Sequence, residues 1–308
     1  MVVLGDAANA LREVEAGLRV APNRTDLLLL ASGAEERLGR SEAALSYLER
    51  AARLDPRSVP VLANLHQSSA DLGRYAEAQA ALDRALALQP SSVSLLYDQS
   101  RLDVARGNST AARQALRRAH EVADSITVVA YVAIREDLLW LLDEPQRRLV
   151  LTLTPADLDG GRADWAIALA QTHWRLGNRR KAQAYADTAR REFDALIRET
   201  RNQADRAQLL GLQALAFAYL GQEREAVRTG VEALTRADSA AARGFQLAYT
   251  RYLVARTHLL AGDPEGAVDH LSQVLKVGSR ISAGWMRIDP DFASLRDNPR
   301  FERLVGGT

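Results

Sequence analysis

The chain carries five histidines, at positions 66, 120, 173, 258 and 270, together with thirty-nine acidic residues and no cysteine. Without a thiol, disulfides, thiolate metal sites and a cysteine nucleophile are excluded. Two histidines four apart around a glutamate would hold zinc, but HEVAD at 120–124 puts Asp124 where the second histidine must stand. His258 and His270 are twelve residues apart and have no thiolate partner. All five therefore read as surface or interhelix histidines. No GxxxxGKS/T, GxGxxG or GxSxG motif occurs, so the phosphate-cradling loops and the nucleophile elbow with those signatures are missing. The acidic pairs Glu35–Glu36 and Glu136–Asp137 stand among arginines and read as solvated helix faces with partners one turn away. DGG at 159–161 reads as a loop. NRRK at 178–181 reads as a solvated turn, with a phosphate-binding patch as the alternative. No catalytic, metal or cofactor site is expected.

What those side chains decorate is a folded, helix-rich chain. Of 308 residues, 47% are hydrophobic and 26% charged, enough for two ordinary domains or one extended one. Alanine and leucine dominate and aromatics are only 6%, which favours helices over sheets. The net charge of +1 supplies no overall field for nucleic acid or anionic lipid. All forty basic residues except Lys181 and Lys276 are arginine. No apolar run reaches membrane-spanning length, so no membrane insertion is expected, and DLLWLL at 137–142 reads as a buried helix segment. The N-terminal MVVLGDAANALREVEAG lacks the basic start and apolar stretch of a secretory signal. The expected compartment is the cytoplasm, or an extracytoplasmic space if the chain belongs to a membrane-anchored protein.

A period organises the first half. Gly5, Gly39, Gly73 and Gly107 are thirty-four residues apart, and so are Ala10, Ala44, Ala78 and Ala112. Leu48, Leu82 and Leu116 keep the same step, as do Ala51, Ala85 and Ala119, while Pro22, Pro56 and Pro90 close successive units. Each unit reads as two helices. The first, such as 26–38, ends at a glycine because a left-handed cap is needed there. The second starts near Ser41, read as its N-cap, and runs to Leu54, where proline blocks continuation. The alanines permit close helix crossings and the leucines fill the space beside them.

With Leu28, Ala31, Ser32, Gly39, Ala44, Leu48, Ala51 and Pro56 in this register, the sequence resembles the tetratricopeptide repeat. The aromatics typical of that repeat are mostly leucine here. The resemblance implies an all-α solenoid, a right-handed superhelix of antiparallel helix pairs, with about seven units, one of them degenerate, and a C-terminal helical cap. It divides the chain into regular units over 1–124, a degenerate repeat and loop over 125–161, longer units over 162–278 and a cap over 279–308, all in one continuous solenoid. Gly177, Gly221 and Gly262 mark the longer units, at spacings of forty-four and forty-one residues. The extra residues are expected in longer second helices, notably 181–201, or in longer connections. Gly5 falls just after a first helix, so the chain is expected to open in mid-repeat, as part of a longer polypeptide, with a lone helix capping the array as the alternative. Asp289-Pro290 and Asp297-Asn298-Pro299 are helix starts, and Phe292, Leu295, Phe301 and Leu304 are expected to close the last unit's apolar face. The middle and C-terminal stretches resemble the repeat regions attached to bacterial serine/threonine kinases, adenylate-cyclase-like proteins and transcriptional regulators, which implies a sensory or regulatory module.

Solenoids of this kind bind extended partners on an inner surface lined by first helices. By register the inner-face candidates are Asn64, Gln67, Tyr97, Asp98, Arg101, Gln171, Trp174, Tyr252 and Arg256. Tyrosine, tryptophan and arginine are enriched at binding hot spots, and asparagine and glutamine pair with peptide backbone. The competing reading of Tyr97, Trp174 and Tyr252 is packing between units. The expected function is a non-catalytic scaffold for a protein or peptide. The alternatives are a subunit of a larger assembly or filament and, behind it, a small-molecule sensor or enzyme with a pocket near 125–161.

Overall fold

A computed structural model of the chain describes residues 7–135, 138–239 and 244–306. Gly5 and the Glu136–Asp137 pair lie outside the described residues. The first half comprises α1 (Ala7–Val20), α2 (Thr25–Arg37), α3 (Ser41–Leu54), α4 (Val59–Asp71), α5 (Tyr75–Leu88), α6 (Val93–Ala105) and α7 (Ser109–Val122). Two short helices follow, α8 (Ser125–Ala133) and α9 (Glu144–Val150). The second half comprises α10 (Arg162–Arg175), α11 (Arg179–Glu199), α12 (Gln203–Leu220), α13 (Glu223–Ser239), α14 (Gly244–Leu260) and α15 (Pro264–Val277). Two more, α16 (Ala283–Ile288) and α17 (Pro299–Gly306), end the chain. Among the described residues there is no strand, and α2 to α15 form seven consecutive helix pairs.

The turn inside a pair shows how the period works. Gly39, Gly73, Gly107, Gly177, Gly221 and Gly262 all sit at φ between 71° and 79°, a region that L side chains avoid. The following amide then reaches back to close the helix end, Arg40 N–H to the Glu35 carbonyl at 2.9 Å and Asn108 N–H to that of Asp103 at 2.8 Å. α1, α3 and α5 stop two residues before Pro22, Pro56 and Pro90. Ala44, Leu48, Ala51 and their counterparts in the next two units are all buried. Neighbouring units are also tied on the outside: Arg50 donates to the Pro22 carbonyl at 2.6 Å and Arg84 to that of Pro56 at 3.1 Å.

Two local expectations need correction. Ser41 is the first helical residue of α3, and the cap position is Arg40, with no side-chain hydrogen bond. The described part of DLLWLL, Leu138 to Leu142, does not form an α-helix: Leu139–Leu141 is one 3-10 turn, although all five residues are buried. After α9, Pro155, Gly160, Gly161 and Asp159 at φ 51° leave room for only a second 3-10 turn, Pro155–Leu158.

Beyond residue 160 the helices lengthen. α11 has 21 residues, α12 has 18, and α13 and α14 have 17 each. First helices thus take up extra residues as well as second ones. The inner helices of this half converge: Gln171 on α10 reaches Arg256 on α14 at 2.8 Å. The C-terminal segment then crosses the inner surface. Arg280 meets Asp71 at the end of α4, Ser282 meets the Ala105 carbonyl at the end of α6, and Asp291 lies between α10 and α14. The two halves of the solenoid are therefore bridged across their concave side by residues 279–292. Phe292, Leu295 and Phe301 are buried, and Leu304 packs against the core.

Candidate partner-binding groove

The inner ends of α2, α4 and α6 carry the polar residues that the register places there. Asn64 is exposed and Gln67 half-buried. Both line a cleft of about 330 Å³ shared with Glu36, Asp71, Phe245 and Arg280. The Gln67 amide donates to Asp98 at 3.5 Å, and Ser68 donates to Glu36 at 2.7 Å. Burial raises the Glu36 carboxyl above the usual carboxylate range. Glu35 and Glu36 are thus not the solvated pair expected: Glu35 is buried and pairs with Arg40 at 3.4 Å, while Glu36 binds the next unit.

Tyr97 sits between two units. It is buried edge-on against Tyr131, with ring centres 5.3 Å apart. Asp98 is buried too, whereas Arg101 is half-buried and stands over both Tyr97 and Phe245, at 5.8 and 5.3 Å. Arg135 stacks on Tyr131 at 3.8 Å. Tyr97 therefore packs between units and Arg101 reaches from the inner face to α14.

In the second half, the inner face is closed by the chain itself. Gln171, Tyr252 and Arg256 are buried, and Trp174 is half-buried with the Arg179 guanidinium 3.4 Å above its ring. Arg179, the first arginine of NRRK, is thus engaged by an aromatic face. Tyr252 packs against Trp285 and Phe292 and donates its hydroxyl to Asp289 at 2.7 Å; the Trp285 indole donates to the same carboxylate at 3.3 Å. Arg175 and Arg256 converge on Asp291 at 2.6 and 2.8 Å. Their charges hold the Asp291 carboxyl below its ordinary value against the effect of burial. Asp289 goes the other way: burial, then the charge of Asp291, push it up to about 6. What stays open here is a second cleft of about 330 Å³, bounded by Trp174, Arg175, Tyr219, Leu259 and Asp291.

The histidines are held by local packing. His66 Nδ1 lies 3.1 Å from the Ala78 carbonyl, and His258 pairs with Asp263 at the turn after α14, 2.8 Å away. His270 faces His258 with ring centres 4.8 Å apart. His173 stacks on Tyr185, and His120 lies 3.3 Å from the Ser125 hydroxyl. Among the described residues no group of three or more histidines and carboxylates could hold a metal ion. No helix among them is long and apolar enough to cross a membrane.

Residues 2–59 and 67–125 match the family profile of the tetratricopeptide repeat. The fold is a tetratricopeptide-repeat solenoid. Among solved structures, a chain of the APC/C hetero-tetramer Cut9–Hcn1 is 12% identical over 98% of this chain with a TM-score of 0.50, and this chain spans 52% of it. Yeast Tom70 is 16% identical over 98% of the chain and 62% of its own length, at TM-score 0.47. A tetratricopeptide-repeat protein of Parabacteroides merdae is 18% identical over 89% of this chain and 88% of its own, at TM-score 0.41. At such identities the likeness is one of fold. No curated protein matches in sequence.

Four residues central to this tetratricopeptide-repeat groove escape a repeat-based reading: Asp71, Arg280, Asp289 and Asp291. Asp289-Pro290 does read as a helix start, and Asp289 accepts the Asp291 amide at 2.9 Å as an N-cap. Its second role, as acceptor for Tyr252, has no local signal. Arg280 follows Gly278 in an irregular stretch, and nothing in its neighbourhood names a partner 209 positions away.

Proposed function

We propose that this chain is a scaffold that binds a protein segment along the inner ends of α2, α4 and α6. One observation carries the reading: this face already holds polypeptide. Residues 279–284 lie on it through side-chain and backbone contacts, and Asn64 and Gln67 line open space beside them. Amide side chains next to a non-helical segment are suited to backbone pairing. The chain of similar fold in the Cut9–Hcn1 structure belongs to a hetero-tetramer, consistent with a repeat surface that serves another chain. On the resemblance to repeat regions of bacterial signalling proteins, the scaffold serves as the regulatory part of a larger signalling protein.

A photo-crosslinking residue at Asn64 tests the reading, with the same residue at exposed Arg113 on the outer helix α7 as control. The expected result is a discrete protein adduct in the native lysate from position 64 and none from position 113. Equal labelling at both positions, or none at 64, overturns it.

A further inference from the structure

We propose that the inner ends of α2, α4 and α6 form a receptor for a short, arginine-bearing peptide, and that the chain's own Ser279–Ser282 is its resident occupant. The proposal rests on the scaffold reading above and specifies the chemistry of its ligand.

The Arg280 guanidinium is 7% exposed and binds Asp71 through two parallel bonds, Nε to Oδ1 at 2.7 Å and Nη2 to Oδ2 at 2.6 Å. The Arg280 amide also donates to Asp71 Oδ1 at 3.3 Å, and the Phe245 ring lies 4.6 Å from the guanidinium carbon. A fork-to-fork pair with an aromatic face beside it selects arginine over lysine. Downstream, the Ser282 hydroxyl donates to the Ala105 carbonyl. At Gly284 an added Cβ would stand 2.8 Å from that same carbonyl and 2.9 Å from the Gly107 nitrogen, so backbone meets backbone there. These contacts read a short non-helical segment with one arginine and the buried Ile281, leading into the first turn of α16, where only a small residue fits.

The surroundings carry the complementary charge. Glu36, Asp71 and Asp98 come from three successive inner helices. Removing the guanidinium strands Asp71 in a nearly buried position, which favours capture of another cation. Space exists on both sides of the ion pair. The 330 Å³ cleft lies on the Asn64 side, and one of about 510 Å³, lined by Glu42, Asp71, Gly73 and Gly278, lies on the other. A peptide can thus enter and leave past its arginine. The tethered segment acts at an effective concentration on the order of millimolar, so an added peptide competes well only once Arg280 is weakened.

The test uses the full chain and a fluorescein-labelled GSRISAG peptide, the sequence of residues 278–284, followed by anisotropy. Arg280→Ala should bind it roughly ten- to a hundredfold more tightly than the parent chain. Asp71→Asn on that background, or alanine in place of the peptide arginine, should abolish binding. Circular dichroism checks folding; if Arg280→Ala unfolds, Arg280→Lys, which keeps a charge and loses the fork, takes its place. No binding by a folded Arg280 variant overturns the proposal, as does equal binding by the parent chain or indifference to Asp71→Asn. Failure here with a retained Asn64 adduct would discard the arginine chemistry alone, whereas loss of both would discard the groove.

Discussion

Arg256 on α14 and Asp291 in the C-terminal segment lie 2.8 Å apart, 35 positions from each other in sequence, with only 3% of the Arg256 side chain exposed. Arg256 also donates to Gln171 on α10 at 2.8 Å, so a single guanidinium joins two inner helices and the segment that covers them. A buried pair of this kind contributes little against a well-packed apolar substitute, but breaking one side strands the other charge. Arg256→Ala should therefore cost about 3–5 kcal/mol. Arg175→Ala removes the more exposed of the two arginines and should cost about 1 kcal/mol or less, nearer to a surface pair. Urea denaturation of both variants decides it; equal losses would mean that burial does not rank the two arginines.

Two groups in the second half titrate against each other. Asp289 is raised from 3.8 to about 6, so the native state holds its proton more tightly than the unfolded chain. Its contribution is fully present below about pH 4 and is lost as pH rises through 6. His270 is lowered from 6.5 to about 4 by burial and by facing His258. Its contribution is present above pH 6.5 and is lost as pH falls toward 4. The slopes oppose each other over the same window, on the order of 3 kcal/mol for the buried Asp289 and less for the half-buried His270, whose charge solvent screens. Asp289→Asn keeps an acceptor for Tyr252 and should lose stability relative to the parent as pH drops from 6.5 to 4.5. His270→Gln should gain on the same descent. Denaturation series at three pH values would show it, and pH profiles parallel to the parent's would contradict both assignments.

The repeat was legible in the sequence because each unit's contacts are local. Gly39, Ala44, Leu48 and Pro56 each act within their own helix pair or on the next one, so a thirty-four-residue step records them. Curvature is not written that way. The meeting of Arg280 with Asp71, or of Gln171 with Arg256, depends on small rotations summed over several units. That is why inner-face residues assigned by register divide in two. Asn64 and Gln67 face a cleft, while Tyr97, Gln171, Tyr252 and Arg256 are enclosed by neighbouring units and the C-terminal segment. Register says which side of a helix a residue occupies; it does not say what later returns to cover that side.

The small and large positions inside a unit give a direct check on packing. Ala44 is fully buried at the crossing of α2 and α3, and Leu48 is 1% exposed beside it. Leu48→Ala should cost about 2–5 kcal/mol through lost burial and a residual cavity. Ala44→Leu should cost about 1–3 kcal/mol by forcing the helices apart. A neutral Ala44→Leu, read from the denaturation midpoint, would mean that the crossing is not tight.

Closure of the solenoid on itself is testable at a glycine. Gly73 has φ 73° and open space where a Cβ would stand, so Gly73→Ala should cost about 1 kcal/mol of backbone strain and leave the shape alone. Gly284 has no such φ, yet its Cβ would enter contact with the backbone of Ala105 to Gly107, which cannot swing aside as a side chain could. Gly284→Ala should therefore push the C-terminal segment off α6. The chain has no cysteine, so cysteines introduced at exposed Gln114 on α7 and Glu302 on α17 can carry a fluorophore pair uniquely. Energy transfer between them should fall in Gly284→Ala and hold steady in Gly73→Ala, even though both lose stability. An unchanged efficiency in Gly284→Ala would show that the contact at α6 does not keep the two halves together.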